Sequence, residues 1–528
     1  MLRGKIRGTF IVSVLLCVAV SAAAASAAEC VPKGERLSLT SWFTVVNNGI
    51  VMPDQPDPTK TFNSYNQPSV DREGRVVFRA RSRGPSPVHG IYMECRSTVT
   101  RLADRTTPVP APNNTDAEFN EFPSFPRIDA ATGMMASRGN SPPVWEYTLD
   151  GTDTRVGNTG VFVANTLGQL STAVNVLGAV PGFEYFQVPG ASTAGVKFDV
   201  FPGSASPIRD KIVFKGNYTD NGVSETGVYY RDFVADKGVA PVELIANTNT
   251  PIPGESTPFG STAPPSAAGN RMVFVGLDNE DAPTMGGIYL APISASPVLT
   301  PLVTIGSPVP DVQPAQTFTQ FGEGLSFTGR YVAFWGAWGT ETMPVTLACR
   351  SEGNAAVLAY CQSLYPDGYM VYEPVNQGIF VYDTRQHRAT LVAQTTHDNF
   401  QDFMYWNFSG RAPGSSEPGE LARWRSSAFV AVAAAKGTFR VAFVGTKQDG
   451  TQGVYLADGP SPSLDSHTTV LDTTTDAQVV DPAAPAGLTV TSLGIERDGF
   501  RNPWLAITAS MANEDASVTW GGIYLTRP

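Results

Sequence analysis

Residues 396–425 collect the side chains best able to do chemistry: His397, Phe400, Phe403, Tyr405, Trp406, Phe408, Arg411, Arg423, Trp424 and Arg425. Aromatic rings beside arginines can stack on a sugar and hold its hydroxyls or a carboxylate, because a guanidinium fork matches a carboxylate bidentately. On that chemistry the candidate ligand-binding residues are Tyr405, Trp406, Arg411, Arg423 and Trp424, joined by Tyr369 from a neighbouring segment. His397, Tyr405 and Arg411 are the one set fit for a polysaccharide lyase, in which His, Tyr and Arg neutralise a uronate carboxylate and remove the adjacent proton. A loop of this length also needs a small core of its own, so the same rings can equally pack on one another.

Other chemistry is harder to place. A glycosidase needs two facing carboxylates, and 48 acidic residues offer no way of choosing a pair. No Gly-x-Ser-x-Gly elbow, phosphate loop or His-Glu-x-x-His motif occurs. Two acidic runs, Asp278-Asn279-Glu280-Asp281 and Asn513-Glu514-Asp515, are of a type that can hold calcium, but neither has the ligand register of a known loop motif and a solvated face explains them. No cofactor and no metal are expected, with calcium as the alternative.

The elements that must position these residues are set by repetition. Seven times Gly is followed by Ile or Val and then an aromatic: Gly90-Ile91-Tyr92, Gly160-Val161-Phe162, Gly227-Val228-Tyr229, Gly287-Ile288-Tyr289, Gly378-Ile379-Phe380, Gly453-Val454-Tyr455 and Gly522-Ile523-Tyr524. The steps are 70, 67, 60, 91, 75 and 69 residues. A period of this kind fixes an architecture before local reading can. Around the first triplet, Pro68-Ser69-Val70, a turn ending at Gly74, Val76-Val77-Phe78, the triplet itself and Val99-Thr100-Arg101-Leu102-Ala103 read as four strands, broken afterwards by Pro108 and Pro110. Four strands per repeat and seven repeats give an all-β chain, a single seven-bladed β-propeller. The turn before the second strand keeps a glycine in six blades (Gly74, Gly133, Gly269, Gly329, Gly437, Gly499) and has Arg209-Asp210-Lys211 in the third.

The last repeat ends at its third strand, with three residues left after Leu525. Residues 37–53 carry the missing strand-four pattern, so the N-terminal strand is expected to complete blade 7 and close the ring, leaving no open sheet edge. The run Pro-Ser-Val-Asp-Arg-Glu-Gly-Arg-Val-Val-Phe (68–78), then Gly-Ile-Tyr, then Thr-Arg-Leu, resembles the repeat of TolB-like propellers and is similar to the NxxGxxAF tandem-repeat proteins of secreted or surface origin. That resemblance implies a propeller with a binding role, and brings no catalytic motif with it.

Residues 1–28 have Arg3, Lys5 and Arg7, an apolar run and Ala25-Ser26-Ala27-Ala28, the pattern of a secretory signal peptide cleaved before Glu29, leaving 29–528 as the propeller. Removing it takes the formal charge from −11 to −14. Nucleic acid, which requires a basic face, is therefore not an expected partner. No later apolar run approaches the ~18 residues of a membrane span. Four cysteines follow the leader; Cys349 and Cys361 share one insertion and should pair locally, leaving Cys30 to staple Cys95 across the seam of the ring. The sequons at Asn113, Asn217 and Asn407 matter only in a eukaryotic secretory route.

Insertions at about 137–158 in blade 2 and 337–376 in blade 5, and the segment at about 396–425 that links blade 5 to blade 6, emerge on one face if the innermost strand comes first in each blade. His89 and His397 belong to that face, His387 and His467 to the other. The insertion around Arg350, Glu352, Tyr365, Asp367, Tyr369 and Tyr372 is expected to wall the 396–425 segment. Rigid scaffolds carry function on such loops. The expectation is a secreted, extracellular (or periplasmic) monomer that binds a glycan or an extracellular protein through blades 5 and 6. A polysaccharide lyase or glycoside hydrolase on the same face, and a structural matrix component with no site, are the alternatives.

Overall fold

A computed structural model describes residues 30–31, 38–39, 41–55, 57–83, 87–233, 239–349, 355–410 and 422–528. The leader read at residues 1–28 lies outside them. The recurrent triplets start the third strand of each blade. In six of them a Cβ on the glycine would stand 2.5–3.1 Å from the aromatic ring two residues on, which folds back over it. That ring meets a phenylalanine of the innermost strand edge to face, with centroids 5.0 Å apart for Phe62–Tyr92, 4.7 Å for Phe119–Phe162, 4.9 Å for Phe318–Phe380 and 4.9 Å for Phe400–Tyr455. Phe198–Tyr229 and Phe259–Tyr289 repeat the contact, so six blades hold such an aromatic pair, a geometry worth about 1 kcal/mol per pair beyond the buried area.

Seven antiparallel sheets form the ring, and Phe43–Asn47 pairs with the last strand, Thr519–Thr526, as Phe43↔Leu525 and Asn47↔Gly522. The N-terminal strand does complete blade 7. Its closure is locked by buried Asp481, whose carboxylate accepts from Asn47 Nδ2 at 2.8 Å, Trp520 Nε1 at 2.8 Å and the Tyr524 hydroxyl at 3.1 Å. The Cys30–Cys95 and Cys349–Cys361 disulfides both form. Among the described residues no helix is long and apolar enough to cross a membrane.

The innermost strands are broken in the middle. Phe62–Tyr65 and Ser69–Val70, for example, pair with the same neighbour, as do Phe318–Phe321 and Ser326–Phe327. At one level of the lower pieces lie Ser69, Arg127, Ser206, Ser266, Ser326 and Ala431, the partners of Val77, Ala136, Val213, Val273, Ala333 and Ala442. The serines lace the blades together: Ser69 Oγ donates to Pro126 O and Ser266 Oγ to Leu325 O, each of the next blade, and Ser326 Oγ donates past blade 6 to Arg497 O of blade 7. In blade 2 arginine replaces serine, and fully buried Arg127 spans the axis. Its Nε donates to Asp498 Oδ2 at 2.6 Å, Nη1 to Pro265 O at 2.8 Å and Nη2 to Ser266 Oγ at 3.0 Å. The central channel therefore has a floor.

One expectation about local structure is corrected. Gly499 is not the turn of blade 7: the turn is Asn502-Pro503, between Arg501 and Trp504, and Gly499 lies just before the inner strand piece Phe500–Arg501, its carbonyl accepting from Ala506 N. The blade 3 turn reaches positive φ without glycine, at Arg209 (φ 55). More consequentially, residues 396–425 are not a connection between blades. Blade 6 begins at Phe400–Asp402, and its innermost strand resumes at Val430–Ala435; both pair with Thr438–Lys447. Residues 403–429 are an insertion at the very break that other blades cross in three to five residues.

Candidate functional site: the mouth of the channel

Two projections meet over blades 5 and 6. The second and third strands of blade 5 run on past the sheet as Tyr331–Leu347 and Tyr369–Asp383, pairing from Thr342↔Pro374 to Leu347↔Tyr369. This arm carries the helix Ala355–Leu364 and the Cys349–Cys361 bridge. Beside it stands the blade 6 hairpin, Tyr405–Ser409 with Arg423–Ser427. Trp424 lies parallel to Tyr369 (9°, centroids 6.4 Å) and edge-on to Phe408 (5.3 Å), while Tyr365 touches both Phe408 and Tyr369. The aromatic cluster is the interface between arm and hairpin. Self-packing accounts for Trp424, Phe408 and Tyr365.

The other predicted residues separate. Trp406 gives its indole N–H to Glu373 of the arm, Tyr405 packs on Phe429 with centroids 5.0 Å apart, and Arg423 is exposed. His397 pairs with Asp465 at 2.8 Å. His467, read from the sequence as lying on the opposite side, is buried between blades 5 and 6 and bonds Asp398 at 2.9 Å, in the same connection as His397. Arg411, Arg350 and Glu352 lie outside the described residues. Asp367 is exposed near the tip of the arm, and Tyr372 stands out of it, 67% exposed.

Sequence reasoning missed the carboxyl pair beneath the hairpin. Glu373, 1% exposed, lies hydrogen-bonded to Asp402 of the blade 6 inner strand. Burial, with the Asp402 charge beside it, pushes Glu373 up to about 8, so at neutral pH the two hold one proton between them. Gln377 braces the pair: its Oε1 accepts from Trp335 Nε1 at 3.0 Å and Phe403 N at 3.4 Å, and its Nε2 donates to Pro374 O. The only signal for this in sequence was an acid at the root of each projection. Chemically the pair offers one acid and one base, closed off by Trp406.

Elsewhere on the loop face, the blade 2 insertion forms a second hairpin, Trp145–Leu149 with Thr152–Val156. It walls a groove of about 560 Å³ lined by Arg105, Asp116, Glu118, Pro143, Glu146 and Arg155. Its charges are mixed. His89, buried, is held neutral at about 3 by its burial and by the nearby Arg81, Arg79 and Arg105. The two acidic runs spend side chains on their own turns: Asp278 accepts from Thr284 and Met285, Asn279 from Asp281, Asp515 from Ser517, and Asn513 from Val518. Among the described residues no three His, Cys, Asp or Glu side chains gather as a metal-ligating group. The sequon Asn113 uses its amide on Val109 O and Ala117 O, and Asn217 and Asn407 stand in strands.

A ring of seven four-stranded sheets closed by the N-terminal strand makes this a seven-bladed β-propeller protein. Over residues 36–345 the chain matches the model described as "Family of unknown function (DUF7453)", and it belongs to that family. No curated protein matches it. Solved structures that resemble it include the β-propeller domain of the trilobed protease from Pyrococcus furiosus, 9% identical over 88% of this chain and 96% of that one, TM-score 0.39. An oligogalacturonate lyase in complex with manganese is 10% identical over 89% and 98%, TM-score 0.39. Pyrococcus horikoshii acylaminoacyl peptidase is 9% identical over 85% and 49%, TM-score 0.36. None of those activities is carried over to this chain.

Proposed function

We propose that this chain is a secreted, monomeric binding propeller that engages a glycan or extracellular protein at the face formed by the blade 5 arm and the blade 6 hairpin. The observation that carries this reading is the set of apolar and aromatic side chains left in water on a braced support. Tyr372 (67% exposed), Met370 (55%), Leu364 and Tyr369 stand on an arm pinned by a disulfide, by Trp424 and by the Trp406–Glu373 bond. Rigid exposed tyrosines give contact area at little entropic cost and stack on sugar or protein surfaces alike. Two disulfides and the leader sequence fit an oxidising compartment, and the TolB-like character of the repeat fits a binding role.

The test is a glycan array and an extracellular-protein pull-down on the mature chain, with Tyr372→Ala alongside. Binding that falls at least tenfold in Tyr372→Ala supports the reading; binding indifferent to it sends the interface elsewhere.

A second reading is a glycoside hydrolase with Glu373, the protonated member of the pair, as acid; its partner carboxylate must be one other than Asp402, because the directly hydrogen-bonded pair is closer than the ~5 Å or more that a glycosidase's two carboxyls require. It requires Trp406 to move aside, because Glu373 is shut from solvent. Product release from polysaccharide, abolished in Glu373→Gln, is its test. For a lyase using His397, Tyr405 and Arg411, the corresponding sign is unsaturated product lost in His397→Ala.

A further inference from the structure

We propose that the outer face of the blade 5 arm is a platform for a neutral glycan chain stacked on Tyr372; this inference rests on the binding reading above and names its ligand. The arm is a two-stranded ribbon, and residues paired across it share a face. Met343, Val345 and Leu347 lie opposite Glu373, Val371 and Tyr369, and that face is turned to the blade 6 hairpin, with Trp406 on Glu373 and Trp424 on Tyr369. The other face carries Thr342 opposite Pro374, Pro344 opposite Tyr372 and Thr346 opposite Met370. All of these but half-buried Pro374 are exposed, and none is charged.

The blade 2 hairpin shows how a projecting ribbon is otherwise kept in water. Its exposed face sets Glu146 opposite Arg155, ion-paired at 2.7 Å, and Thr148 opposite Asp153. The arm instead leaves proline, methionine and tyrosine in solvent, on a support fixed by the Cys349–Cys361 bridge. Side chains held in place before contact lose little entropy on binding.

Size and charge select what covers this face. Six paired positions at about 3.3 Å each, on two strands each about 4.8 Å wide, make a strip of roughly 200 Å². A stable protein interface takes about 800 Å² from each partner, so the strip is too narrow for one and matches a few sugar rings laid along the ribbon. A pyranose offers its C–H face to the Tyr372 ring and its hydroxyls to Thr342 and Thr346. Among the described residues of the arm, 339–349 and 355–377, every charged side chain is an acid: Glu341, Asp367 and Glu373. Arg423 and Arg425 belong to the hairpin, which lies against the opposite face. Exposed Glu341 and Asp367 repel a uronate or a sulfated sugar, whereas a neutral chain meets no such penalty.

The test is binding of the mature protein to neutral polysaccharides (β-glucan, galactan, mannan and xylan) and to polygalacturonate, each at low and at high salt. We expect a neutral polymer to bind with an affinity that salt leaves unchanged, since no ion pair is made. Tyr372→Ala should weaken that binding about tenfold, and Tyr372→Phe, which keeps the ring, should retain it. Thr346→Lys, which sets a cation on the strip, should not strengthen it. Preference for polygalacturonate, a steep fall with salt, tighter binding in Thr346→Lys, or indifference to Tyr372→Ala each overturns the inference. Capture of an extracellular protein through Tyr372 with no sugar bound overturns it too but leaves the binding reading standing, whereas no ligand of either kind removes both.

Discussion

Arg127 donates its Nε–H to Asp498 at 2.6 Å, and through that bond the inner strand of blade 2 is tied to blade 7, while its other nitrogens hold blade 4. Asp498 receives Arg501 as well. A buried ion broken on one side leaves a charge without its partner, at a cost of about 3–5 kcal/mol. Arg127→Met and Asp498→Asn should each lower the unfolding free energy by about that amount in urea titrations. A change under about 1 kcal/mol would mean that the floor contributes little to the ring.

Glu373 makes the stability of the hairpin depend on pH. Its carboxyl keeps its proton up to about 8 in the fold, whereas the unfolded chain releases it near the ordinary value of 4.5. The folded state then binds more protons in that window, so stability falls as pH rises from about 4.5 to about 8, by up to about 1.4 kcal/mol per unit. Melting followed by Trp fluorescence between pH 5 and 9 should show this slope, and Glu373→Gln should flatten it.

Trp424 and Tyr372 should behave oppositely. Trp424 stacks on Tyr369 and meets Phe408 edge-on, so Trp424→Ala should destabilise the hairpin by about 2 kcal/mol or more. Tyr372 stands in solvent, so Tyr372→Ala should shift stability by less than about 0.5 kcal/mol and act only on binding. Hydrogen exchange of residues 405–409 and 423–427 separates the two effects.

The two disulfides differ in reach. Cys30–Cys95 closes a separation of 65 residues across the seam, and the chain-entropy estimate for its loss is about 4 kcal/mol. The double Ser variant should melt lower as a whole. Cys349–Cys361 spans 12 residues inside the arm, so its removal should loosen the helix Ala355–Leu364 while leaving the global transition in place. Calorimetry together with exchange at the helix checks both.

The ring was legible in the sequence because each blade repeats the same steric problem: a ring folded over a glycine, with a partner strand on either side. The closure at Phe43–Asn47 and both disulfides followed from counting strands and cysteines. What stayed hidden was depth. Residues 396–425 read as a connection because Thr395 ends one blade and aromatics follow, and nothing in composition marks Phe400–Asp402 as half of a strand that resumes at Val430. Glu373 and Asp402 come together only through that interruption.

The blade 6 hairpin leaves and re-enters its strand without disturbing the pairing on either side. The scaffold is therefore indifferent to what is spliced in at that point. A short link of the kind blade 5 uses, Gly322 to Leu325, could replace residues 403–429 and leave the Arg127 floor as the barrier across the axis, and a foreign segment placed there would be delivered to the axis of the ring rather than to its rim.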